Sequence, residues 1–210
     1  MKTDTISILK KVGAVLTDDH FVYTSGKHGS VYINKDAVYP HTNETSAICK
    51  MIAEKFKNKR IEVVAAPALG GIILSQWTAH WLSRLTRREV LGVYTEKDPE
   101  KNQIFTRGYD KLVKGKRVLV VEDLTTTGGS VRKVVRAVKT AGGKVIAVCV
   151  MVNRDPKNVT TKTVGAPLFA LGVLRAEACD ALKCELCKKG IPINTTVGHG
   201  KKYLSEQKVH

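Results

Sequence analysis

Two carboxylates, three consecutive threonines, two glycines and a serine share one run, EDLTTTGGS at residues 122–130, directly after the apolar VLVV of residues 118–121. A hydrophobic strand that delivers acids and then a hydroxyl- and glycine-rich turn ahead of a helix has the composition of an anion site. Gly128 and Gly129 let the backbone approach a ligand closely, and the start of the following helix aims free N–H groups and the positive end of its dipole at negative charge. The hydroxyls of Thr125, Thr126, Thr127 and Ser130 add donors, so this half of the run suits a phosphate monoester. Glu122 and Asp123 stand at the carboxyl end of the strand, where α/β sheets bind ligands, and can accept hydrogen bonds from paired sugar hydroxyls. A phosphorylated ribose satisfies both halves. Neither GxGxxG nor GxxxxGK[ST] occurs, so a Rossmann dinucleotide site and a Walker loop both lose support.

The surrounding pattern supplies elements able to hold such a run. Ile6, Leu9, Val12 and Leu16 recur at helical spacing and predict an opening helix. Residues 44–56 repeat the signal through Ala47, Ile48, Met51, Ile52 and Phe56 after a Thr42-Asn43 start. Residues 61–66 are a β-branched run ended by Pro67, and Gly70-Gly71 opens a helix that carries Ile73, Leu74, Trp77 and Trp81. The two tryptophans sit one turn apart, suited to core or dimer packing, with base stacking as the alternative. Residues 90–95 predict a strand, and the charged residues 96–116 a hairpin or flap anchored by Ile104, Phe105, Leu112 and Val113. A helix follows over residues 131–141, buried through Val131, Val134, Val135 and Val138 and stopped by Gly142-Gly143. Residues 145–152 and 168–173 predict two more strands. Strands that are apolar on both faces and alternate with helices imply a parallel α/β sheet covered on two sides.

Composition bounds the function. With 210 residues and 43% hydrophobic content, the chain suits one domain of ordinary size with a small appendage. Its longest apolar runs, such as residues 145–152, fall far short of the roughly 20 residues of a membrane span. Lys2, Asp4, Lys10 and Lys11 interrupt the N-terminal residues, which therefore lack the apolar region of a secretory signal. The expectation is a soluble, cytoplasmic chain without a membrane partner. The formal charge of +16 favours polyanions or highly phosphorylated small molecules, or marks a solvated basic surface. Lys and Arg are spread along the chain with no arginine-rich arm, so nucleic acid is not an expected partner. Five cysteines without a secretory signal argue against a disulfide framework.

The acid pair followed by TTTGGS closely resembles the 5-phosphoribosyl 1-diphosphate (PRPP) signature of type I phosphoribosyltransferases. The resemblance implies an α/β fold in which helices flank a central five-stranded parallel sheet, with a small hood over its C-terminal edge. It also implies Mg2+ bound with PRPP, and displacement of diphosphate by a nitrogen base. Further segments narrow it to orotate phosphoribosyltransferases of a bacterial and archaeal branch. FVYTSGKHGSVYINK at residues 21–35 is similar to their N-terminal substrate loop, AAPALGGI at 65–72 to their diphosphate-facing loop, and CELCKKGIP at 184–192 to a tail of that branch. One phosphoribosyltransferase domain over residues 1–210 is implied, with a core of about 44–175 and a hood from about 1–40 and the tail. Arg154 falls where the family holds the orotate carboxylate, a contact a planar guanidinium can make in bidentate fashion. Ser25, Gly26 and Lys27 would shape the base loop, Tyr32 would give the ring a flat wall, and Thr126 would border it. PRPP would be bound by the whole run including Leu124 and by Lys97, Lys101 and Arg107, with Lys97, Glu122 and Asp123 as candidate catalytic residues. The implied assembly is a homodimer in which a flap reaches the neighbouring active site.

Two positions depart from the family pattern. Gly70 stands where better-studied members carry a lysine, and Tyr94-Thr95-Glu96-Lys97-Asp98 has Glu96 in place of an arginine, with no Lys-Asp-His-Gly after it. Arg107-Gly108 further on matches the variant flap of the branch that shares the cysteine tail. Cys184 and Cys187 form a CxxC that, with Cys179 and His199, could complete a zinc site; a redox pair or plain thiols are the alternatives. Cys49 and Cys149 fall in apolar patterns and read as packing residues. The alternatives for the whole chain are a purine phosphoribosyltransferase, and a non-catalytic PRPP sensor whose basic surface binds nucleic acid.

Overall fold

The computed structural model describes residues 4–23, 25–175 and 177–207. In chain order these hold α1 (Thr5–Lys11), β1 (Val15–Leu16), β2 (Phe21–Val22), β3 (His28–Gly29), β4 (Tyr32–Ile33), α2 (Thr42–Phe56), β5 (Val63–Pro67), α3 (Gly70–Thr86), β6 (Leu91–Lys97) and β7 (Gln103–Ile104). After them come α4 (Tyr109–Val113), β8 (Arg117–Thr125), α5 (Gly129–Thr140), β9 (Lys144–Asn153), α6 (Thr161–Val164), β10 (Leu168–Val173), α7 (Glu185–Lys188) and α8 (Gly200–Gln207). Two compact units result. The larger is formed by residues up to Ile8 and Tyr39–Leu174, the smaller by Leu9–Val38 and the residues from Arg175 onward.

The larger unit is built on a six-stranded sheet of order β10-β9-β8-β5-β6-β7. Every neighbouring pair is parallel except β6 with β7, so five parallel strands carry one short antiparallel edge. Alternation along the strands separates two cores. Val64, Ala66, Leu119, Val121, Ala147 and Cys149 pack with Cys49, Ile52 and Phe56 of α2 and Leu74 and Leu82 of α3. Val63, Ala65, Val118, Val120, Val148 and Val150 pack with Val131, Val134, Val135 and Val138 of α5. Those four valines lie at the i, i+3, i+4, i+7 positions of one helical face, and each contributes roughly 1.5–3 kcal/mol by leaving water. Trp77 and Trp81 border the first core, and the Trp81 Nε1–H donates to Ser46 Oγ at 2.9 Å, a packing role. Cys49 and Cys149 are fully buried there, and burial pushes both thiols up to about 12, as expected of inert packing residues.

Two boundaries differ from the sequence pattern. The opening helix ends at Lys11, because Ala14 N–H closes onto the Leu9 carbonyl at 2.8 Å and Val15–Leu16 then pairs antiparallel with Tyr32–Ile33. Strand pairing thus outweighs the helical spacing of Leu16. The strand after Lys116 continues to Thr125 instead of stopping at Val121, since β9 pairs with it through Glu122↔Val150, Leu124↔Val152 and Thr125↔Asn153. Both acids therefore belong to the sheet itself.

Among its described residues the smaller unit has short elements, the antiparallel pairs β1–β4 and β2–β3 and the helices of the tail. Single bridges His20↔Ile193 and His28↔Cys179 tie the β2–β3 hairpin to that tail. Among the described residues no helix is long and apolar enough to cross a membrane.

Candidate active site

Glu122 and Asp123 are 6% and 4% exposed, at the end of a strand flanked by β5 and β9. Alternation puts Asp123 on the α2–α3 side and Glu122 on the α5 side of the sheet. Beyond Thr125 the chain turns sharply: the Thr125 hydroxyl oxygen accepts Gly128 N–H at 3.1 Å, and Gly128 caps α5 with a left-handed φ of 73°. That conformation favours glycine, and it leaves Thr126, Thr127 and Ser130 exposed around the first turn of the helix. Gly128 has no side chain to cap α5, and among the described residues the first N–H of the helix, that of Gly129, is met by the Thr127 hydroxyl oxygen at 3.4 Å, so this turn aims hydroxyl and N–H groups at the place an anion would take.

The buried carboxylate of Asp123 is held from two directions. Its Oδ1 accepts Leu124 N–H at 2.6 Å, and its Oδ2 accepts the Tyr39 hydroxyl at 2.8 Å. Gly70, at the start of α3, faces the same pair. A Cβ there would stand 2.6 Å from Tyr39 Oη and 2.7 Å from Asp123 Oδ2, closer than such atoms approach. A glycine at position 70 is thus explained, because the Tyr39–Asp123 hydrogen bond fills the space that a side chain there would need. Gly70→Ala is expected to destabilise the fold by about 1–3 kcal/mol through overpacking, measured by urea unfolding. An unchanged midpoint would contradict this close approach.

Residues 96–107 form a hairpin and its extension, held by polar contacts. The Asp98 carboxylate accepts Asn102 N–H at 2.7 Å, and the buried Thr95 hydroxyl donates to Gln103 Oε1 at 2.7 Å. Lys97 ends β6 and is exposed; Lys101 is exposed in the turn, where its carbonyl accepts Lys133 Nζ. Arg107 Nη2 lies 3.3 Å from Glu96 Oε1, while Glu96 Oε2 accepts the Thr106 hydroxyl. The Thr106 hydroxyl, and then Arg107, hold the Glu96 carboxyl below the usual carboxylate range. Glu96 therefore grips an arginine supplied eleven residues on.

Arg154 directly follows β9, and its N–H donates to the Thr125 carbonyl at 2.9 Å. The arginine is thereby fastened beside the first residue of the anion turn. Asn153 steadies this exit, its side chain donating to Val159 O at 3.1 Å and accepting Asp155 N–H at 3.0 Å. Ser25, Gly26 and Lys27 belong to the smaller unit, as an exposed turn closed by Tyr23 N–H on Lys27 O at 2.8 Å; Thr24 lies outside the described residues. Tyr32, in the same unit, packs its ring on Phe21 with centroids 5.4 Å apart.

The cysteine tail requires a correction. Cys184 and Cys187 do converge with other metal-binding atoms, but their companions are His20 and His28, in place of Cys179 and His199. The bridge His28↔Cys179 aligns Cys179 with the hairpin backbone, and its Sγ sits 3.7 Å from the His28 carbonyl oxygen. His199 is engaged through its backbone, N–H to Val22 O at 2.9 Å. Sequence reading also missed Tyr39, whose only local signal is its place before Pro40.

Residues 34–164 match the phosphoribosyl transferase domain family. The orotate phosphoribosyltransferase of Caldanaerobacter subterraneus subsp. tengcongensis is 35% identical over 192 residues, which cover 91% of this chain and 95% of that relative. The chain belongs to the orotate phosphoribosyltransferase family. Among solved structures, the orotate phosphoribosyltransferase from Aeropyrum pernix aligns with a TM-score of 0.61 and 27% identity over 87% of this chain and 96% of its own. That of Mycobacterium tuberculosis H37Rv aligns with a TM-score of 0.65 over 82% and 97%, a likeness of fold at 22% identity. Family membership accounts for the type I phosphoribosyltransferase fold, a mostly parallel sheet with the acid pair and the TTTGGS turn at the end of a central strand. In this chain Tyr39 stands beside Gly70, and Arg107 beside Glu96.

Proposed function

We propose that the protein is an orotate phosphoribosyltransferase, which joins orotate to the anomeric carbon of PRPP and yields orotidine 5′-monophosphate and diphosphate in de novo UMP synthesis. The observation that carries the reading is the buried Glu122-Asp123 pair opening onto a helix-capping hydroxyl turn to which the backbone of Arg154 is bonded. The 5-phosphate would take the N–H groups at the start of α5 and the hydroxyls of Thr125, Thr126, Thr127 and Ser130. Glu122 and Asp123 would accept the ribose hydroxyls and favour the positive charge that grows on the sugar as the bond to diphosphate breaks. Lys97, Lys101 and Arg107 would neutralise the leaving diphosphate, and Arg154 would pair with the orotate carboxylate while Ser25, Gly26, Lys27 and Tyr32 shape the base site. Orotate arrives as an anion, so positioning and electrostatics supply the catalysis and no covalent nucleophile is required.

The two carboxylates are hard oxygen donors that fit Mg2+ brought in with PRPP. When bound, the ion would offset charge on the diphosphate. A cytoplasmic homodimer is the assembly that the family resemblance favours.

Titration calorimetry of PRPP with Mg2+ into the full chain tests the binding half of this reading. Saturable uptake near one equivalent per chain is expected, and no heat at any concentration would contradict the assignment of residues 122–130. The hairpin offers a separate test. If Arg107 leaves Glu96 to meet diphosphate, Glu96→Gln should lower the KM for PRPP by about two- to fivefold, the worth of an exposed ion pair. An unchanged KM would take Arg107 out of the diphosphate contacts.

A further inference from the structure

We infer that the smaller unit carries a structural zinc site whose ligands are His20 Nε2, His28 Nδ1, Cys184 Sγ and Cys187 Sγ. These four atoms lie within 4.8 Å of one another, and His20, His28 and Cys184 are buried. His20 Nε2 is 3.7 Å from Cys184 Sγ and 3.6 Å from Cys187 Sγ; His28 Nδ1 is 3.3 Å from Cys187 Sγ and 2.8 Å from His20 Nε2. Zinc–nitrogen bonds of about 2.05 Å and zinc–sulfur bonds of about 2.3 Å at tetrahedral angles would separate nitrogen from sulfur by about 3.6 Å and nitrogen from nitrogen by about 3.3 Å. Three of the nitrogen–sulfur spacings lie within about 0.3 Å of that value, and the two histidine nitrogens would have to part by about half an ångström.

The donor chemistry points to the same ion. Two imidazoles and two thiols at tetrahedral spacing select zinc over hard cations such as Mg2+, which take oxygen ligands. His20 Nδ1 lies 2.8 Å from the Ile191 carbonyl, a group that can only accept. That contact puts the proton on Nδ1 and turns the Nε2 lone pair towards the other three donors, the outer-shell arrangement typical of a ligating histidine. Cys184 and Cys187 bracket the start of α7, where Lys188 N–H on Cys184 O and Gly190 N–H on Cys187 O fold the CxxC into a compact knuckle.

The site also has a structural task. Among the described residues the smaller unit consists of two-residue strands and short helices, and its two chain segments are separated in sequence by Tyr39–Leu174. A bound metal would crosslink residues 20 and 28 to residues 184 and 187, offsetting the small apolar core such a unit can build. Cys179 would stand in the outer shell, its thiol beside Cys184 and the His28 carbonyl.

The test is metal content of the full chain, produced without a polyhistidine tag, reduced, incubated with Zn2+ and gel-filtered. About one zinc per chain is expected for the parent and less than about a tenth for Cys184→Ser/Cys187→Ser. Cys179→Ser and His199→Ala should each retain the full zinc, and loss in either would overturn the ligand set. Should the double variant fail to fold, the parent alone decides: Co2+ should give the intense absorption of a tetrahedral thiolate site, and a mercurial should release zinc as the cysteines react. A parent that keeps no zinc, or that forms a Cys184–Cys187 disulfide under these conditions, would overturn the proposal. The readout is independent of turnover, so it stands or falls apart from the orotate reading.

Discussion

Asp123→Asn is expected to lower kcat/KM for PRPP by about a hundredfold to a thousandfold with the far-ultraviolet circular dichroism unchanged. The amide is isosteric, and its oxygen can still accept either Leu124 N–H or the Tyr39 hydroxyl, the contacts that fix the carboxylate now. What it loses is the negative charge that would stand beside the sugar, at a buried position where water screens it little. A variant within threefold of the parent would remove Asp123 from the ribose contacts. Tyr39 supplies the control: Tyr39→Phe leaves the charge in place and loosens only its position, so its effect should be smaller, about tenfold or less.

Arg154→Ala should raise the KM for orotate by about ten- to a hundredfold and change the KM for PRPP little, because a charged, bidentate hydrogen-bonded pair is worth roughly 1.5–3 kcal/mol. The fold should survive, since what fastens this position to β8 is its backbone N–H on the Thr125 carbonyl. Initial rates with each substrate varied in turn would separate the two KM values. An Arg154→Ala protein with the parental orotate KM would transfer the carboxylate contact elsewhere and weaken the orotate assignment.

The site was legible where its chemistry is contiguous. Residues 122–130 present acids, hydroxyls and glycines side by side, so the PRPP reading needed no tertiary information. The length of β8 was not legible, because Glu122 and Asp123 do not look like strand residues until β9 pairs with them. Residues 96–107 carry no hydrophobic period, since polar pairs such as Asp98 with Asn102 hold the hairpin. Tyr39 lies 84 positions from Asp123, and His20 lies 164 from Cys184; contacts at that range leave no mark in local spacing. The CxxC was visible, but the histidines facing it sit in a segment that reads equally well as a substrate loop.

The central claim is turnover of PRPP with orotate. Diphosphate release by purified protein with Mg2+ and PRPP should be compared across orotate, uracil, adenine, guanine, hypoxanthine and no base. Orotate-dependent release, with orotidine 5′-monophosphate formed in equal amount, is the predicted result. Release with a purine alone would contradict the base assignment, and PRPP binding without release for any base would contradict the enzyme itself.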